Sequence, residues 1–167
     1  MNASIRTSDV RLSDARVDAI IVEIANQQSR APVNENRLRE GVLAVIAGEG
    51  LPRANISLAV VDDSAIQELN RRFLEHDWPT DVLSFVLEQG DGFVEGEIIL
   101  SADTAAEAAG RYGWRIDDEM LLYTIHGALH LTGYDDRSSA DQTAMRQREA
   151  FYLAQFGLSP RFEERQP

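Results

Sequence analysis

Cysteine is absent from this 167-residue chain, so neither a disulfide nor a thiolate-bound zinc can hold it together. That absence alone leaves the compartment open. Lysine is absent as well, and all 16 basic positions are arginine. A guanidinium grips phosphate through a bidentate fork that an ammonium lacks, yet arginines scattered over a chain are mostly solvated surface. Positive charge is scarce against 28 acidic residues, giving a formal net charge of −12. Such a balance excludes a broad basic surface that holds nucleic acid by counterion release, though not a local basic groove. No run approaches the ~20 apolar residues of a membrane span, and Met1–Arg6 carries no apolar signal core. A cytoplasmic protein with no membrane partner is expected.

What remains is ordinary globular material, 44% hydrophobic and 26% charged. Its length suits one domain with its own core. Residues 1–18 are polar and without periodicity and are expected to be a poorly ordered start. The domain is expected over 19–158, and 159–167 form a charged tail. Ala19–Ile24 is short and β-branched and predicts a strand. Asn34 caps a helix that runs to Ala47. Ile56–Val61 predicts a second strand. Asp62-Asp63-Ser64 then caps a helix over Ala65–Phe73, with Ile66, Leu69, Asn70 and Phe73 on one stripe. Val82–Leu87 and Phe93–Leu100, separated by Gly90-Asp91-Gly92, predict a hairpin. Ser101 caps an alanine-rich helix to Arg111. Asp117-Asp118-Glu119 open the next helix at its positive end. The last helix spans Ser139–Phe156, with Met145, Arg148, Tyr152 and Phe156 at helical spacing. The order predicts an α+β single domain: a small mixed sheet of about four strands packed with about five helices.

The stretch of greatest chemical interest is His126-Gly127-Ala128-Leu129-His130-Leu131-Thr132-Gly133-Tyr134-Asp135-Asp136. Two histidines four residues apart share one face of a helix. Gly133 suits the left-handed position that ends a helix, after which the chain can return Asp136 to the histidines. His126, His130 and Asp136 then make a three-ligand metal site with one position open, as in catalytic zinc centres. The alternative is a pair of satisfied or surface histidines. The helix reads as internal through Met120, Leu121, Leu122, Ile125, Leu129 and Leu131, and imidazoles inside it need partners. The spacing is also that of the metzincin proteases, whose first histidine is followed by a glutamate base. Gly127 stands there and can move no proton.

The motif HGALHLTGYDD resembles the signature of the YbeY family of ribosomal-RNA maturation factors, His-Gly-x-Leu-His-Leu-x-Gly-Tyr-Asp-His. Leu69-Asn70, Phe73 and Asp77-x-Pro79-Thr80-Asp81-Val82-Leu83-Ser84-Phe85 are similar to its second motif. Gly96-Glu97-Ile98-Ile99-Leu100-Ser101 is similar to its third, where aspartate is usual in place of Glu97. The likeness covers about residues 19–156. It implies a cytoplasmic, zinc-dependent, single-strand-specific endoribonuclease acting in small-subunit ribosomal RNA processing and ribosome quality control. Ribosomal RNA and small-subunit components are its implied partners. His126, His130 and Asp136 are the implied metal ligands, and the histidines act in catalysis through the metal.

Two positions depart from the family pattern. Asp136 replaces a third histidine, which lowers the charge of the site and widens the metal choice from Zn2+ towards harder divalent ions. Leu74 replaces an arginine that serves the RNA, leaving Arg71 or Arg72 to contact it. His76 either reaches the cleft as a proton donor or is a solvated loop histidine. Thr80, Asp81 and Ser84 either line the cleft or serve the loop and strand locally. Trp78 either stacks on a base or pins the loop. The alternative function is a non-catalytic ribosome assembly factor with a structural metal, favoured by Leu74 and by an acidic surface suited to basic proteins.

Overall fold

Hydrogen-bonding side chains start most of the helices where the sequence places them. The computed structural model describes residues 19–160; the N-terminal segment 1–18 and most of the charged tail lie outside the described residues. Strand β1 is Ile20–Asn26. The Asn34 side chain then accepts from the Arg37 amide and opens α1, Glu35–Gly48. Leu38, Val42, Val45 and Ile46 are buried along its inner stripe. After β2 (Arg53–Val61), the Asp62 carboxylate caps α2, Asp63–Leu74, through the Ala65 amide. β3 (Val82–Gly90) and β4 (Phe93–Ser101) form the hairpin, turning at Asp91-Gly92, where Gly92 has φ 66°. Ser101 caps α3, Ala102–Tyr112. Then come α4, Ile116–Leu131, and α5, Ser139–Ala154.

The four strands form one mixed sheet in the order β1-β2-β4-β3. β1–β2 and β2–β4 are parallel, and β3–β4 is antiparallel. β3 is therefore an edge strand, and its register slips between Val86 and Glu88. The α+β expectation of about four strands and about five helices matches the described residues. Several boundaries move outward. β2 begins at Arg53 because its backbone pairs on both sides, Ala54 with Ile20 and with Val94; ladder pairing overrides the weak strand preference of Arg-Ala-Asn. β3 likewise continues to Gly90 through pairing with β4. The last helix stops at Ala154, two residues short of Phe156, where the Gln155 and Phe156 amides turn back to the Tyr152 and Leu153 carbonyls.

One sheet face carries Ile56, Leu58, Val60, Ile98 and Leu100 into the main core. A smaller cluster joins Val61, Leu83 and Ile99 to Ile66 of α2. Phe73 lies at the end of the α2 stripe with more than half its surface in water, edge-on to Phe85. The central element is α4, which touches α1, α3, α5, β3 and β4. All six apolar residues expected on its buried side are buried.

Gly127 lets α4 lie flush on the sheet. A Cβ there would stand 2.8 Å from Cγ2 of Ile98 and 3.3 Å from Cγ2 of Val82. Both neighbours are β-branched, and such side chains have little rotamer freedom. In an open helix Gly→Ala gains up to about 1 kcal/mol; overpacking a core costs about 1–3 kcal/mol. Gly110 of α3 has open space where its Cβ would be. Gly127→Ala should therefore lower the urea midpoint and Gly110→Ala leave it unchanged or raise it, both at constant m-value.

Candidate metal centre

The two histidines sit one turn apart in the last turns of α4, their rings at 79° with centroids 4.6 Å apart. Their Nε2 atoms face each other at 3.0 Å. The helix ends in a Schellman turn: the Tyr134 amide donates to the Leu129 carbonyl and the Gly133 amide to the His130 carbonyl, both at 3.1 Å. Gly133 takes φ 106°, a conformation that glycine alone adopts readily. The reversal brings Asp136 Oδ2 to 3.4 Å from His126 Nε2 and 3.6 Å from His130 Nε2. Donors arranged tetrahedrally on bonds of ~2.1 Å stand about 3.4 Å apart. The three atoms thus have the spacing of one ion's ligands, and these residues can hold a divalent metal.

The other ring nitrogens fix which atoms are offered. His126 Nδ1 lies 2.5 Å from Oε1 of Glu149, and His130 Nδ1 lies 3.0 Å from the Tyr134 carbonyl. A carbonyl and a carboxylate only accept, so each Nδ1 carries the proton and donates it. Each Nε2 is then a lone pair in the neutral ring. Two lone pairs at 3.0 Å repel unless a cation stands between them. Burial alone would pull the His126 pKa down, but hydrogen bonds to Asp136 and Glu149 and the charges of Glu149 and Asp81 outweigh it and push it up to about 10. The His126 hydrogen bond, aided by the charge on both histidines, holds Asp136 below the usual carboxylate range. The site is built to keep a cation, whether proton or metal.

A brace fixes this geometry to the fold. Glu49, just past α1, accepts from Arg148 Nε at 2.9 Å and from the Tyr152 and Tyr134 hydroxyls at 2.8 and 3.2 Å. Tyr134 thereby ties its turn to α1, while α5 is locked in place carrying Glu149. These hydrogen bonds hold the Glu49 carboxyl below its ordinary value against the opposing effect of burial.

A cleft of about 360 Å³ opens beside these three residues, His126, His130 and Asp136, lined by Leu74, Ser84, Val86, His130, Asp136 and Arg137 among others. Ser84 and Leu74 thus reach it. Arg71 and Arg72 are not among its lining residues; Arg71 pairs with Glu68 and Arg72 lies over the Phe73 ring. Thr80 donates to Asp81, whose carboxylate also accepts the Val82 amide while its charge reaches His126. His76 stacks on Trp78 at 4.5 Å, and the Asn70 amide holds the Trp78 carbonyl. Three participants escape sequence reading: Glu149, the Tyr134 carbonyl and Arg137. Glu149 left a signal, a lone acid between Met145 and Tyr152 on the buried stripe of α5.

Two outcomes follow from the Nδ1 contacts. Glu149→Gln should weaken divalent-metal binding about 10–100-fold by titration against a chromophoric chelator. In the metal-free protein, the raised His126 pKa contributes stability that is complete below about 6.5 and lost as pH climbs towards about 10. Denaturant unfolding of the metal-free wild type should therefore lose stability across that window more steeply than His126→Gln.

The model of the family described as endoribonuclease YbeY matches residues 23–157. The chain is 41% identical over 150 residues to the endoribonuclease YbeY of Moorella thermoacetica, covering 81% of this chain and 96% of that protein. It is 36% identical over 145 residues to that of Geobacter sulfurreducens, covering 81% and 97%. To that of Rhodopirellula baltica it is 39% identical over 123 residues, covering 72% of this chain and 63% of that protein. The solution structure of TM1509 from Thermotoga maritima superposes with a TM-score of 0.57 at 26% identity, covering 82% of this chain and 92% of that one. With the family model spanning most of the domain and two of these relatives matched over nearly their full length, the chain belongs to the YbeY family.

Proposed function

We propose that the protein is a zinc-dependent, single-strand-specific endoribonuclease that trims small-subunit ribosomal RNA in the cytoplasm and serves ribosome quality control. One observation supports this reading above the others. Two imidazole Nε2 atoms converge at 3.0 Å, each ring fixed by an acceptor on its far nitrogen, with a carboxylate closing the triangle beside a cleft. The names of the relatives support the substrate class. Among the described residues no helix is long and apolar enough to cross a membrane.

His126, His130 and Asp136 would hold the ion, which supplies Lewis acidity towards a phosphate oxygen and lowers the pKa of water. The protein's own residues do the rest. Glu149 and the Tyr134 carbonyl keep both Nδ1 protons in place, so both Nε2 atoms remain ligands. Asp136 contributes a negative charge where a third histidine would be neutral, which admits a harder ion such as manganese. Gly127 excludes a helix-borne glutamate base twice over, chemically and sterically, since even a Cβ meets Ile98. The metzincin mechanism therefore does not apply.

A second reading, a non-catalytic assembly factor with a structural metal, draws on Leu74, which makes one cleft wall apolar, and on the net charge of −12. Metal content and cleavage of unstructured RNA, measured together, separate the two. Wild type should cleave when metal-loaded and stop on chelation. His130→Ala should lose metal and cleavage together, by at least about a hundredfold for a ligand removed. Stoichiometric metal with no cleavage of any single-stranded RNA would favour the assembly factor.

A further inference from the structure

The cleft faces a polyanion with few cations of its own. Asp81, Asp135, Asp136 and Glu149 surround or border the site, and together they outnumber the two charges of a divalent ion. The α2 side offers Leu74, which has no donor. Among the described residues Arg137 is the one lining residue that carries a guanidinium, and it follows Asp136 directly. Its side chain is 88% exposed, and its contact with Asp135 is long, Nε to Oδ2 at 3.5 Å. An exposed pair of that length is worth little and opens easily. The other oxygen of Asp135 accepts the Asp136 amide at 2.8 Å, so one carboxylate steadies the ligand and parks the arginine at the cleft rim.

We propose that Arg137 is the phosphate-binding residue of this cleft, and that Asp135 holds it in reserve until an RNA phosphate displaces the carboxylate. The inference rests on the ribonuclease reading and assigns the backbone contact that the apolar α2 wall lacks. A guanidinium can present two parallel N–H groups to one phosphate. The substrate phosphodiester replaces Asp135 as the partner with no covalent change.

The test is equilibrium binding of a short 2′-O-methyl single-stranded oligoribonucleotide to the zinc-loaded full chain across a salt series, with metal content measured in every variant. Arg137→Gln should weaken binding about tenfold, as expected for a lost charged hydrogen bond. It should also flatten the slope of log affinity against log salt by about 0.7, the increment for one phosphate contact on a single strand. Arg137→Lys should keep the wild-type slope while losing part of the affinity, because charge persists and the fork does not. Asp135→Asn keeps an acceptor for the Asp136 amide but releases the guanidinium, so binding should tighten. Unchanged affinity and slope in Arg137→Gln would overturn the proposal. So would metal loss at unchanged slope, or an Asp135→Asn variant that weakens binding as Arg137→Gln does; either would place both residues in loop structure. A wild type that neither binds nor cleaves RNA would sink the ribonuclease reading itself, whereas RNA cleavage with an indifferent Arg137 would sink this inference alone.

Discussion

The centre depends on two hydrogen bonds that never touch a ligand-bearing nitrogen. Glu149 and the Tyr134 carbonyl claim the Nδ1 protons of His126 and His130. Without them each imidazole could tautomerise or rotate, and the convergence of the Nε2 atoms would lose its meaning. Both partners are themselves held from a distance: Glu149 by the docking of α5, and Tyr134 by its hydroxyl on Glu49. The geometry of a few atoms is thus underwritten by contacts joining α1, α4 and α5.

The same logic explains how a strongly acidic chain fits a role among polyanions. The acids around the site favour a cation at its centre, as the raised His126 pKa records. They do so at the expense of attraction towards RNA, and the cleft then depends on local donors rather than on net charge. The overall −12 charge and a ribonuclease site conflict only if the surface is treated as uniform.

Much of the fold was legible in the sequence because its signals are local. Asn34, Asp62 and Ser101 sit at caps, Gly92 at a hairpin turn and Gly133 at a helix end, and each acts within four residues. The convergence of His126, His130 and Asp136 was legible for the same reason, since the three lie within eleven consecutive positions. Glu149 and Arg137 were not. Glu149 finds His126 across 23 residues through the packing of α5, which no periodicity encodes. Arg137 gains its place only from the direction in which the turn leaves Gly133. The early start of β2 leaves no mark in the sequence because strand pairing on both sides, not residue preference, sets it.

The slipped register of β3 has a consequence for how this molecule meets its own copies. Among the described residues β3 is an edge strand, it carries the exposed Val86 and Leu87, and it borders the cleft. A straight edge of that composition invites another chain to add a strand, the route to aggregation. The irregularity between Val86 and Glu88 breaks the run of evenly spaced backbone donors and acceptors just where apolar side chains would reward pairing. An incoming strand would therefore meet an uneven ladder beside the mouth of the cleft.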